Sequence, residues 1–143
     1  MIVNNFGIEL SRGFKALKVW MSIKELGSLA YIRMIEKNCA QCQYLGSLIS
    51  SHPPLELMTP VSMNIVCYRF QFPTDELTIQ NNNNKKLLLE LQNQGIAAPS
   101  STILNGYFVI RVANVTPRRQ QIDFDMLVRE SLRIGNEISN NLL

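Results

Sequence analysis

The apolar positions of this chain change their period several times, and each change marks an element. After Ser11, a residue suited to an N-cap, Phe14, Leu17, Trp20/Met21 and Ile23 recur at helical spacing. Lys15, Lys18 and Lys24 fall mostly off that stripe, and Gly27 offers a stop. A second helix is expected from about Ser28 to Ser50, with Ile32, Ile35, Cys39, Cys42, Leu45 and Ile49 on its apolar face. His52-Pro53-Pro54 ends it, because a residue before proline is pushed out of the helical region. The texture then turns to β-branched and aromatic residues. Leu55 to Met58 is a short strand candidate and Met63 to Phe72 a stronger one, with Pro60 between them suited to a turn or strand edge. Gln80 to Asn84 is a polar low-complexity tract, expected to be a flexible surface loop. Lys85 to Gln94 reads as a short helix with Leu87, Leu88 and Leu91 inward, closed by Gly95.

The clearest local signal is Thr102 to Val112, where Asn105-Gly106 supplies the positive φ angles of a type I′ turn between two runs of strand formers. A last helix is expected from about Ile122 to Asn140, with Phe124, Leu127, Ser131, Ile134 and Ile138 on one face. The order α-α-β-β-α-β-β-α predicts an α+β fold: a small antiparallel sheet with helices on one face, preceded by two N-terminal helices. Residues 1–52 then form a helical linker segment and residues 53–143 the α+β domain. Met63–Phe72 and Tyr107–Val112 carry apolar side chains on both faces, so the side away from the helices is expected to be covered by a further domain or a partner subunit.

Composition narrows the class. The chain has 143 residues, one domain's worth, with 46% hydrophobic and 17% charged residues. No apolar run reaches the roughly 18 residues that span a bilayer, and the N-terminus lacks the basic stretch and apolar core of a signal peptide. A cytoplasmic protein with no membrane association is expected. The net charge of +3 is scattered, without a basic run, and the aromatics follow core patterns, so nucleic acid is not the expected partner. Three cysteines are too few for a disulfide framework and fit a reducing compartment.

Most candidate chemistry has a structural explanation. Cys39-Ala-Gln-Cys42 lacks two further closely spaced ligands and sits mid-helix on the apolar stripe, so no metal site is expected and the pair reads as core. His52 marks a helix end. Asp123 and Asp125 suit the positive end of a helix dipole better than a catalytic pair. Arg111 is the exception, interrupting an otherwise apolar strand. A half-buried guanidinium must find an anion: either a structural Asp or Glu, or the carboxylate of a ligand held in its bidentate fork.

Three stretches, taken in order, resemble the pyridoxal-phosphate-dependent group II amino-acid decarboxylases, the family of aromatic-amino-acid, tyrosine, histidine and glutamate decarboxylases. Leu10-Ser-Arg-Gly-Phe-Lys-Ala-Leu-Lys-Val-Trp20 is similar to the family pattern L-[SG]-R-R-F-[RK]-[AS]-L-K-x-W. Pro60 to Phe70 resembles a family strand reading V-x-L-G-L-V-C-F-R, and Ile103 to Val112 with Gln121 to Asp125 resembles the strand and helix that follow it. The resemblance implies the C-terminal domain of a dimeric fold-type-I enzyme, lacking the large domain whose H-x-x-K lysine forms the Schiff base with pyridoxal phosphate. In the complete enzyme that cofactor acts as electron sink for the carbanion left by departing carbon dioxide. The residue matching Ser11 then lies near the cofactor phosphate, with Arg12 beside it; Gly13 replaces the family's second arginine. Arg111 matches an arginine that faces a substrate carboxylate in the glutamate-decarboxylase branch. The expected partners are a large cofactor-binding domain or a second subunit, as a homodimer. No H-x-x-K occurs, so no catalytic residue is assigned, no cofactor is expected to be bound covalently, and the chain alone is expected to be inactive. The alternative is a free-standing α+β regulatory or ligand-binding module.

Overall fold

The computed structural model describes residues 14–116 and 118–141. Its elements are α1 (Lys15–Ser50), β1 (Leu55–Leu57), β2 (Ile65–Phe70), α2 (Leu77–Asn93), β3 (Ser100–Leu104), β4 (Tyr107–Ala113) and α3 (Gln121–Asn140). The four strands form one antiparallel sheet in the order β1-β2-β4-β3. This is the α+β class the patterning predicts, with the two most apolar strands at the centre, paired from Ile65↔Ala113 to Tyr68↔Ile110.

Helix α1 is interrupted at Gly27, whose φ of 74° and ψ of 158° are non-helical, so the glycine expected to stop a helix does break its run. The chain divides into two compact units, Met1–Arg33 and Met34–Leu143. In the first, the helical stripe of Phe14, Leu17, Trp20, Met21 and Ile23 is exposed, Phe14 at 68% and Trp20 at 59%. The N-cap expected at Ser11 lies outside the described residues. In the second, the rest of α1 turns Cys42, Leu45 and Ile49 inward, where they join Val66, Tyr68, Phe70, Ile110, Leu87, Leu91 and Phe124 in a single core.

One expectation is overturned. Gln80–Asn84 is not a flexible loop but the body of α2, which begins at Leu77. Gln80, Asn83 and Asn84 are buried. The reason lies in the sheet. The register of β2 and β4 would bring Phe70 opposite Phe108, but pairing stops at Tyr68↔Ile110. The amides of α2 take over there. Asn84 Oδ1 accepts the Phe70 N–H at 2.8 Å and its Nδ2 donates to the Phe70 carbonyl at 3.0 Å. Asn81 Oδ1 accepts the Phe108 N–H at 2.7 Å and its Nδ2 donates to the Gly106 carbonyl. Gln80 treats Phe72 in the same way. Buried main-chain groups must be paired, and here side chains replace the missing strand contacts.

The hairpin forms as expected, with Asn105 at φ 50° and Gly106 at φ 84°. Helix α3 presents Phe124, Leu127, Ser131 and Ile134 inward. It approaches the sheet most closely at Gly135, where a Cβ would lie 2.2 Å from the Phe70 ring. The Asp123 carboxylate accepts the Gln120 N–H at 2.9 Å at its start. The Tyr68 hydroxyl, fully buried, meets Ser131 Oγ at 2.9 Å.

Two predictions follow from the core. Asn84→Leu keeps the helix but strands both main-chain groups of Phe70, and is expected to cost about 2–4 kcal/mol in urea unfolding; a loss below about 0.5 kcal/mol would show that the amide is dispensable. Burial raises the Tyr68 hydroxyl from 10.0 to about 12, partly opposed by Ser131. The folded state therefore holds this proton more tightly than the unfolded one. That stabilisation is whole below about pH 10 and is lost as pH rises towards about 12. Alkaline melting curves of the Tyr68→Phe variant should lack this step.

Candidate functional site

Alternation along the central strands sorts side chains onto two faces. Val66, Tyr68, Phe70 and Ile110 belong to the core. Cys67, Arg69, Tyr107, Val109 and Arg111 are their alternates and point the other way. Cover for that second face was expected from outside the chain, yet part of it is internal. The Arg69 guanidinium lies over the Tyr107 ring, 3.9 Å from its centroid. Its Nε donates to Glu56 Oε2 at 2.6 Å, across the β1–β2 pair Glu56↔Arg69. Gln71 Nε2 donates to the same carboxylate oxygen at 3.2 Å. Arg69 is thus satisfied by a charge and by a π face.

Arg111 differs. It is half-buried, opposite Cys67 on one side and Ser100 on the other. Its Nη1 donates to Ser100 Oγ at 3.3 Å, and that hydroxyl donates to the Arg111 carbonyl at 3.1 Å. Among the described residues no carboxylate forms an ion pair with it. The structural salt bridge left open by the sequence is therefore absent there, while the fork remains available. Burial pushes the Cys67 thiol up, and the charge of Arg111 partly opposes this. Arg69 carries the same sequence signature as Arg111, a guanidinium in an apolar strand, so the sequence alone does not separate the two.

The other candidates resolve as structure. His52 Nδ1 lies 2.8 Å from the Leu48 carbonyl at the end of α1. Cys39, Cys42 and Cys67 are free, and burial raises the Cys42 thiol. Asp125 accepts a hydrogen bond from the Tyr44 hydroxyl. Among the described residues no group of three His, Cys, Asp or Glu side chains is arranged to hold a metal ion. Ser11 and Arg12 lie outside the described residues.

Two clefts open on the second unit. One, of about 190 Å³, is lined by the 96–100 segment, the end of β4 and the start of α3, and includes Arg111 and Arg119. The other, about 470 Å³, lies beside Arg69, Gln71, Thr74 and Tyr107. Neither is lined by a lysine. As lined, neither cleft offers the amine that a Schiff-base aldehyde requires.

The two arginines make opposite predictions. Arg69→Met leaves the partly exposed Glu56 with Gln71 as its remaining donor and is expected to cost about 1–2 kcal/mol in chemical unfolding. Arg111→Met removes no ion pair and should cost less than about 1 kcal/mol. Equal losses would mean that Arg111 is held for stability.

The profile described as "Pyridoxal-dependent decarboxylase conserved domain" matches residues 2–71. The aromatic-L-amino-acid decarboxylase of Bacillus atrophaeus is 31% identical over 135 residues, covering 93% of this chain and 28% of that protein. The phenylacetaldehyde synthase of Arabidopsis thaliana is 31% identical over 136 residues, covering 95% of this chain and 27% of its own length. Among solved structures, the glutamate decarboxylase domain of a Vibrio parahaemolyticus diaminobutyrate-pyruvate transaminase and L-2,4-diaminobutyrate decarboxylase superimposes with a TM-score of 0.77 at 27% identity, over 88% of this chain and 27% of that one. The Oryza sativa TDC structure with PLP and tryptamine gives a TM-score of 0.83 at 19% identity, over 96% and 30% of the two chains, a likeness of fold. The chain thus spans little more than a quarter of the relatives it matches.

Proposed function

We propose that this chain, which is similar to the pyridoxal-dependent decarboxylases, is the C-terminal lobe of a pyridoxal-phosphate-dependent L-amino-acid decarboxylase, capping an active site whose reacting groups lie in a separate cofactor-binding portion. The observation that carries the reading is Arg111. Its guanidinium is half-buried on the face turned from the core, and a serine hydroxyl is its side-chain partner. A planar fork in that state is suited to a substrate carboxylate, which it would bind and orient. The partial coverage of the curated relatives supports a lobe of a larger assembly. The free-standing regulatory module is not favoured, because the relatives and the solved structures of like fold are decarboxylases or related synthases.

The remaining roles extend this reading. Residues 1–52 would contact a second subunit of a homodimer and residues 53–143 would form the lobe, the end of α1 serving both. The apolar side chains exposed on the first unit, such as Trp20 and Leu29, support such a contact. A role for Ser11 and Arg12 at the cofactor phosphate rests on the sequence match. No helix among the described residues is long and apolar enough to cross a membrane; with three free cysteines, this supports a cytoplasmic site of action.

The chain alone, given pyridoxal phosphate and a panel of L-amino acids, is expected to release no carbon dioxide beyond the uncatalysed background. Co-expression with an H-x-x-K-containing large portion from a relative should restore cofactor absorbance and turnover. In that complex Arg111→Lys keeps the charge but loses the fork, and kcat/KM should fall about ten- to a hundredfold. Sustained release by the chain alone, or a fully active Arg111→Lys complex, would sink the reading.

A further inference from the structure

On the sheet face turned from the core, strand register fixes what Arg111 meets. Its neighbour across β2 is Cys67 and its neighbour across β3 is Ser100. A thiol is a weak acceptor, so the stronger of the two is the Ser100 hydroxyl. That hydroxyl accepts from Arg111 Nη1 at 3.3 Å and donates to the Arg111 main-chain carbonyl at 3.1 Å. One side chain thus ties the guanidinium to the backbone of its own residue. Its single proton goes to the carbonyl, which leaves its lone pairs to the arginine. Among the described residues, Nε and Nη2 of Arg111 have no hydrogen-bond partner. These two groups share one edge of the guanidinium plane, an edge that a carboxylate meets with two parallel bonds. In Arg69 the corresponding Nε is already taken by Glu56 at 2.6 Å, from the opposite edge strand.

We propose that Ser100 is a positioning residue, which holds Nη1 of Arg111 and so keeps the Nε–Nη2 edge open for a ligand carboxylate. This role rests on the decarboxylase reading, in which Arg111 meets the substrate, and adds to it the residue that orients the arginine and the edge that binds. A neutral hydroxyl suits the task. A carboxylate at position 100 would pair with the guanidinium and cancel its charge, as Glu56 does for Arg69. An apolar residue there would return the long side chain to its ordinary rotamer freedom, which binding would then have to freeze.

The test compares variants in the complex with an H-x-x-K-containing large portion. Ser100→Ala is expected to raise KM about five- to tenfold and to leave kcat within about twofold. Ser100→Thr keeps the hydroxyl and should restore KM. Combined with Arg111→Lys, the Ser100→Ala change should add nothing further, because a lysine has no fork to orient. A second measurement needs no partner. In the isotopically labelled chain, Arg111 should show distinct Nη signals from hindered guanidinium rotation, and Ser100→Ala should merge them without moving the urea midpoint. An unchanged KM in Ser100→Ala, no rescue by Ser100→Thr, additive losses in the double variant, or Arg111 signals identical with and without the hydroxyl would each overturn the role of Ser100. A fully active Arg111→Lys complex would instead remove the decarboxylase reading, so the two failures are told apart by which variant is silent.

Discussion

The second unit depends on how its sheet ends. Between β2 and β4 the ladder closes after Tyr68↔Ile110, although both strands continue. Main-chain groups of the buried Phe70 and the half-buried Phe108 would then lack strand partners, each buried unpaired group costing ~1–3 kcal/mol. Helix α2 resolves this with amides, which carry a donor and an acceptor on separate atoms of one planar group. Asn84 and Asn81 each serve one strand. Because the helix is tied to the splayed ends, Leu87, Leu88 and Leu91 are set against the core.

On the far face of the sheet, two guanidiniums illustrate how context divides one residue type into two functions. Arg69 is neutralised by Glu56 and flattened on Tyr107, so its charge is spent inside the fold. Arg111, one strand over, has a hydroxyl in place of a carboxylate. The difference originates in the neighbouring edge strands: β1 brings Glu56 opposite Arg69, whereas β3 brings Ser100 opposite Arg111. Arg111 is thus held by the sheet without being discharged by it.

Much of this was legible in the chain. The Asn105-Gly106 turn announced itself because only a few residues tolerate two successive positive φ angles. The apolar face of α3 was read correctly because its period is helical and its core partners are long-range but unspecific. The asparagine tract reads as a loop because asparagine competes with its own backbone and is disfavoured within helices. Its reward comes from strand ends some ten to thirty residues away in sequence, which no local pattern reveals. Arg111 stands out as a charge in an apolar strand, and Arg69 shares that signature. What separates them is the register of the edge strands, and that emerges only from the folded sheet.

The contact between Gly135 and Phe70 constrains more than packing. The space that any larger residue at 135 would occupy is already filled by the aromatic ring. Substitutions at these two positions are therefore not interchangeable in time: residue 70 must shrink before residue 135 can grow, and the reverse order passes through a misfit. A side chain larger than hydrogen at 135 therefore calls for a displaced or smaller side chain at 70, which couples the two positions.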